Sequence, residues 1–178
     1  VFYMSQIPTL LSGEATLTAL QGSVEAQRIG DVQWQRLSQG SHLREGDQAR
    51  VTDGIAVLTL FDGSILEMQP GTELAFSSLR SSLFEATYQI VVNQQAGSVD
   101  YDVAPLRSSL STFEVQSPAA LVMVQGTRFV LTIESAMKTK VAVLEGSVQV
   151  VNAVTNTVLA EREVAIVPVN AAPIYLPT

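Results

Sequence analysis

Apolar and polar residues alternate with a period of two along most of the chain. Ile55, Val57, Thr59 and Phe61 fall on one face of a strand and Ala56, Leu58 and Leu60 on the other. Both faces are largely apolar, which predicts a central strand covered on both sides. Phe129, Leu131 and Ile133 alternate with Arg128, Val130, Thr132 and Glu134, and Val148 and Val150 with Ser147, Gln149 and Val151, the pattern of half-buried strands. Shorter runs of the same kind cover Ala15–Leu20, Ser23–Arg28, Ile65–Gln69, Glu73–Ser77, Tyr88–Asn93, Val99–Val103, Thr112–Gln116, Lys140–Glu145 and Val164–Val167. Gly30-Asp31, Gly46-Asp47, Asp53-Gly54, Asp62-Gly63, Pro70-Gly71 and Ser117-Pro118 separate these runs, as turn chemistry requires. Asp62-Gly63 is the best candidate for a two-residue hairpin, because both residues tolerate positive φ. No window carries a 3.6-residue apolar period with caps, and Ser81–Thr87 could supply one helical turn at most. The pattern predicts an all-β protein with little or no helix.

A weak internal echo runs through the strands. Gly-Ser-Val recurs at Gly22–Val24, Gly97–Val99 and Gly146–Val148, at unequal spacings that exclude a fixed solenoid period. Glycine followed by small and β-branched residues starts many unrelated strands. The same echo also fits an elongated β-solenoid- or β-sandwich-like stack of related hairpins on one core.

Composition narrows the functional classes. The 178 residues carry 10 Lys+Arg against 17 Asp+Glu, a net charge of −7, with no basic run to meet a nucleic-acid backbone. The absence of cysteine removes disulfides, zinc–thiolate centres and thiol nucleophiles together. The aliphatic runs Leu121–Val124 and Ala165–Val167 are far shorter than the ~20 residues that span a bilayer. His42 is the single histidine, so a Ser-His-Asp triad or a multi-histidine metal site has little to draw on. Asp100 and Asp102 would face the same way on a strand, yet the glycine and terminal glutamate of a calcium loop are missing. Trp34 is the only tryptophan, and a sugar platform normally presents several aromatics. No glycine-rich phosphate loop occurs. The sequence offers no catalytic residue, no metal site and no cofactor site.

Three segments in order carry a resemblance. Gly22-Ser23-Val24 leads through Trp34 to Leu43-Arg44-Glu45-Gly46-Asp47 and Val51-Thr52-Asp53-Gly54. Leu58-Thr59-Leu60-Phe61-Asp62-Gly63-Ser64 follows. Then come Gln116-Ser117-Pro118, Val124-Gln125-Gly126-Thr127-Arg128-Phe129 and Val143-Leu144-Glu145-Gly146-Ser147-Val148. This order resembles the FecR family of extracytoplasmic domains, from about Gly22 to Val167. The matched Gly46, Asp47, Asp62, Gly63, Gly126, Thr127, Phe129 and Gly146 read as fold-defining residues. The glycines suit turns, the aspartates suit turn amides, and Phe129 begins an inward-facing set. Gln125 stands where the family usually has arginine, and Ala160-Glu161-Arg162-Glu163 replaces a glycine-containing turn. The resemblance implies an exported, elongated β-rich domain that acts by contacting other proteins.

The expected organisation is an apolar N-terminal tail over 1–12, a FecR-like domain over 13–169 with two lobes that could part near 78–87, and a C-terminal tail over 170–178. Val1, Phe2, Tyr3, Met4, Ile7, Leu10 and Leu11 are the candidate interaction residues, docking on their own sheet or completing a neighbour's open edge. The N-terminal stretch could equally be the stub of a removed membrane anchor. The expected function is a non-catalytic extracytoplasmic protein-interaction module, at the cell surface, outside the cell or in the periplasm. Two forms of it are open: a self-associating filament or surface subunit joined by strand addition, and the signal-receiving domain of a membrane-anchored FecR-like regulator. The expected partner is protein, including a second copy of the chain, with no nucleic acid and no membrane contact beyond a missing anchor.

Overall fold

The computed structural model describes residues 10–82 and 86–177. Those residues form seventeen strands and no helix: β1 (Leu10–Ser12), β2 (Ala15–Gln27), β3 (Gln35–Arg36), β4 (His42–Leu43), β5 (Gln48–Leu60), β6 (Ile65–Met68), β7 (Glu73–Ser82), β8 (Thr87–Ala96), β9 (Ser98–Asp102), β10 (Thr112–Gln116), β11 (Leu121–Val124), β12 (Arg128–Ser135), β13 (Lys138–Glu145), β14 (Ser147–Val151), β15 (Asn156–Ala160), β16 (Val164–Pro168) and β17 (Ile174–Leu176). The protein is all-β, as its alternation predicts. The expected runs Ala15–Leu20 and Ser23–Arg28 are one long strand, β2, paired with β5 over almost its whole length.

That long hairpin is where the ladder divides. The second half of β5 pairs with β6, and from there one arm continues through β9, β12, β13 and β16 to β17. The first half of β5 pairs with β7, and a second arm continues through β8, β10, β11 and β14 to β15. Pairing is antiparallel except between β8 and β10, which run parallel. After β6 the chain serves the arms alternately, so β7–β8, β10–β11 and β14–β15 extend one arm while β9, β12–β13 and β16–β17 extend the other. The inward residues of both arms, among them Leu66, Tyr101, Phe129 and Val141 against Phe76, Ile90, Phe113 and Val150, belong to one buried core. The arms are the two layers around that core.

The bend in the hairpin is set by two glycines. Gly22 and Gly54 are directly paired, with φ of +95° and +77°. A Cβ on Gly54 would sit 1.8 Å from the Gln21 carbonyl oxygen, and one on Gly22 would sit 2.3 Å from that of Asp53. Only two residues without side chains let the backbones cross this closely while the ladder turns from one layer into the other.

The Gly-Ser-Val echo marks the same event three times. β2 passes between layers at Gly22, β8 hands over to β9 at Gly97, and β13 hands over to β14 at Gly146. At each corner the serine carbonyl accepts a threonine hydroxyl: Thr52 to Ser23 at 3.3 Å, Thr72 to Ser98 at 2.8 Å and Thr127 to Ser147 at 2.7 Å. The repeated tripeptide is therefore a sheet-crossing corner with its own hydrogen-bonded brace.

Among the polar groups buried between the layers, Gln94 is fully satisfied. Gln94 is wholly buried; its amide donates to the Gly97 and Leu131 carbonyls at 3.1 and 3.0 Å, and its oxygen accepts the Tyr101 hydroxyl at 2.9 Å. Tyr101 stacks on Phe129 with 4.9 Å between ring centres. Burial pushes the Tyr101 phenol well above its ordinary range, so it remains a donor. Gln94 thus links β8 of one layer to β9 and β12 of the other.

Several local expectations change. In the second half of β5 Ala56, Leu58 and Leu60 are buried, while Ile55, Val57 and Thr59 are half-buried and Phe61, just beyond it, is exposed. β5 is covered on one face, because the layer it belongs to packs on a single opposing layer. The β5–β6 loop has three residues, not two: Gly63 N–H donates to the Leu60 carbonyl at 2.9 Å and Leu60 N–H to Ser64 at 2.8 Å. This is a turn followed by a glycine in the left-handed region, a standard three-residue hairpin. Ser78–Ser82 continue β7 and pair with Thr87–Val91, while residues 83–85 of the stretch considered for a lobe boundary lie outside the described residues. The single helical turn considered at Ser81–Thr87 falls partly outside the described residues, and Ser81, Ser82 and Thr87 are strand.

Replacing Gly54 by alanine should lower stability by more than about 3 kcal/mol, since backbone must move. Gly40→Ala, with φ of +91° and nothing within 4 Å, should lower it by only about 1–2 kcal/mol. Urea unfolding of the two variants checks this, and equal losses would contradict the proposed crossing.

Candidate interaction surface

The motif residues build turns and braces. Asp47, after the β4 turn, is buried, and its carboxylate accepts Arg44 N–H at 2.9 Å, Ile29 N–H at 3.1 Å and the Arg28 guanidinium at 2.7 Å. Gly46, preceding it with φ of +88°, donates its N–H to the Phe76 carbonyl at 2.8 Å. One side chain therefore ties the β2–β3 loop to the β4–β5 turn. Asp62 accepts both the N–H and the hydroxyl of Ser64, at 3.0 and 2.7 Å, and Ser64 in turn accepts Ala104 N–H at 3.0 Å. Gly63 completes that turn. Gly126 and Thr127 lie between β11 and β12 beside Gly146, and Phe129 is wholly buried.

The other sequence candidates are similarly engaged. His42 is exposed, with Nδ1 3.1 Å from the Thr16 hydroxyl and 3.5 Å from Glu14. Asp100 pairs with Arg128 at 3.0 Å on the outer face of its layer, and Asp102 is opposite Arg128 in register. Among the described residues no group of three His, Cys, Asp or Glu side chains could hold a metal ion. Trp34 is half-buried beneath the Arg50 guanidinium, 4.2 Å from its ring centre. Arg80 holds the Glu45 carboxyl below its ordinary range through a two-pronged hydrogen bond, with Leu79 N–H adding to it against a burial effect of opposite sign. Of the candidate tail residues, Leu10 and Leu11 form β1 and pair with Ser82 and Ser81 of their own chain. Val1, Phe2, Tyr3, Met4 and Ile7 lie outside the described residues.

The surface left unsatisfied is at the far end of the two layers. One arm ends on β17 and the other on β15, and neither has a second ladder partner among the described residues. β15 turns Val158, 59% exposed, to solvent. Tyr175 is in register with the buried Ala165, so it lies on the core side of its layer, yet it is 51% exposed. Nothing described covers the core there. Met137, Val154 and Ile174 extend the apolar area. Asn152 holds this end together by donating to the Pro168 and Ala171 carbonyls at 2.6 and 2.8 Å and accepting Val154 and Thr155 N–H. Sequence reading placed Tyr175 in an apolar tail but missed β15, whose one buried residue, Leu159, gives almost no alternation to detect.

This geometry defines a two-layered all-β domain with an uncapped end. The chain belongs to the FecR family: the family described as FecR protein matches residues 47–149, more than half of its length. No curated protein matches the sequence. Two crystal structures of a candidate anti-sigma factor from Parabacteroides distasonis ATCC 8503 share the fold, with TM-scores of 0.56 and 0.58 and 22% identity in each case. The likeness covers 71% and 72% of this chain but only 57% and 58% of those chains, so this chain spans well under two thirds of their length.

Two stability changes follow from the turns. Asp47→Ala leaves three donors without their acceptor and should lower stability by about 2–3 kcal/mol. Arg162 has φ of +67° in the turn where the family pattern has glycine. Arg162→Gly should therefore raise stability by about 1 kcal/mol, or ~2–4 °C in Tm for a domain of this size. Calorimetry of both variants reads these opposite signs.

Proposed function

We propose that this chain is the protein-contacting sensor domain of an extracytoplasmic regulator, one that passes on a signal through non-covalent contacts and without catalysis of its own. The observation that carries the reading is the end of the two layers, where β15 and β17 offer edges with no partner among the described residues beside Val158 and Tyr175. A bare edge with exposed apolar residues is a site for strand addition or apolar docking. The family match and the shared fold of a candidate anti-sigma factor support a regulatory role over a structural one. Control of a sigma factor, periplasmic placement and the identity of the partner belong to the proposal. Asp47, Asp62, Gly63, Gly126, Thr127, Phe129, Gly46 and Gly146 serve this function indirectly, by holding the layers in register.

A second reading, self-association, draws on the same free edge of β15. Paired with a second copy about Val158, β15 would oppose Asn156 to Ala160 and Thr157 to Leu159, with no like charges facing.

Val158→Lys combined with Tyr175→Ser, made in the full-length regulator, should lower signal-dependent transcription from its promoter several-fold. Its unfolding midpoint should stay within about 2 °C of the parent, as for other surface changes. An unaltered response would overturn the proposal. Sedimentation of the parent domain separates the second reading: a mass that stays at 19.1 kDa at every concentration removes it.

A further inference from the structure

We propose that the outer face of the β12–β13–β16–β17 layer is a two-fold contact between copies of this chain. The surface is a strand face, separate from the free edge of β15, and the inference stands whether or not the domain serves a regulator.

The first support is an apolar area on the solvent side of a layer. Val130, Ala142, Val164 and Leu176 form one row, in register across four neighbouring strands. They alternate with the buried Leu131, Val141, Val143 and Ala165, so they point away from the core. In the next row Ile166 is in register with Ile174, which is 56% exposed. The first row turns acidic at β9 and β6, where Asp100 and Glu67 continue it. The apolar area is therefore bounded, and a contiguous exposed patch of this kind marks a docking surface.

The second support is the order of charge along the strands, which names the occupant. The outward residues of β13 read Lys138, Lys140, Ala142, Leu144 and Glu145, a bulge opposite Arg128 leaving the last two both exposed. On β12, antiparallel to it, Glu134 lies level with the lysine end and Arg128 level with Glu145. On both strands the sign of charge therefore inverts from one side of the apolar row to the other. Among the described residues Lys138, Lys140, Glu134 and Glu145 make no ion pair, while Arg128 is bridged to Asp100.

A two-fold axis lying along the apolar row, across the strands, lays β13 of one copy on β13 of the other in the opposite direction. Lys138 and Lys140 then meet Glu145 and Leu144, Glu134 meets Arg128, and the apolar rows meet each other. An axis along the strands, between β13 and β16, would instead set Lys138 on Pro168, its register partner, and keep it a strand's length from Glu145. A surface that complements itself about one axis fits a second copy of the same chain. Four strands about 4.8 Å apart and some five residues long present roughly 300–400 Å2 of sheet per copy. The contact therefore belongs with weak, transient interfaces.

The test is sedimentation equilibrium of the whole domain from micromolar to millimolar concentration. Expected is a reversible rise from 19.1 kDa toward twice that mass. Lys138→Glu and Glu145→Lys should each weaken the dimer at least about tenfold, because each sets like charges face to face twice. Combining the two should restore it to within about threefold of the parent. Lys138 and Glu145 are roughly 23 Å apart along one strand, so the second change cannot compensate the first inside one copy. Ile174→Lys should also weaken the dimer, whereas Val158→Lys should leave it unchanged, which separates this contact from strand addition at β15. All four positions are exposed, so the variants should keep the parent's unfolding midpoint. A mass of 19.1 kDa at every concentration, a dimer indifferent to the single charge reversals, or a double variant no tighter than the single ones overturns the proposal.

Discussion

The architecture depends on one close approach of two backbones. Where Gly22 faces Gly54, the strands of the longest hairpin come too near for any side chain, and the ladder turns from one layer into the other. Every later strand is added to one of the two arms that leave this bend. Had the hairpin stayed straight, the alternating residues of β6 and β7 would have lined the same flat sheet, with its apolar face open to water. Hydrophobic burial supplies the driving force, yet the crossing decides that the apolar faces meet each other.

The same logic explains why the corners recur with a hydroxyl brace. A crossing strand leaves the ladder for a residue or two, and its backbone groups need other partners in a region shielded from water. Thr52, Thr72 and Thr127 supply them at the three Gly-Ser-Val corners. Between the layers, Gln94 does the equivalent work over a longer reach, fixing one layer against the other through Tyr101 and Leu131. Apolar contacts tolerate sliding, whereas a buried amide with all its bonds made holds a single register.

A family motif composed of turn residues says where the fold is constrained and little about where it acts. Asp47 and Asp62 are the residues a sequence pattern picks out, and both are occupied by neighbouring amides and hydroxyls. The residues left with unmet capacity are elsewhere: Val158 and Tyr175, at the end that no described residue caps. Neither lies in the matched motifs. Contact surfaces in such a domain are set by how the hairpins are stacked, which leaves the motifs free to preserve the stack.

The sequence by itself determined the strand content, because period-two alternation and turn residues act over a few positions. Phe129, Leu131, Val148 and Val150 point inward as their spacing requires, and the turns at Gly46-Asp47 and Asp62-Gly63 lie where their chemistry places them. The repeat at Gly22, Gly97 and Gly146 was visible too, though its meaning was not. Tertiary structure decided that these glycines mark crossings, that β5 is covered on one face only, and that β15 and β17 end the two arms with no further neighbour among the described residues. Alternation records which residues of a strand share a face. It carries no information about which layer that strand joins or what lies beyond its edge, since both depend on pairing between segments tens of residues apart.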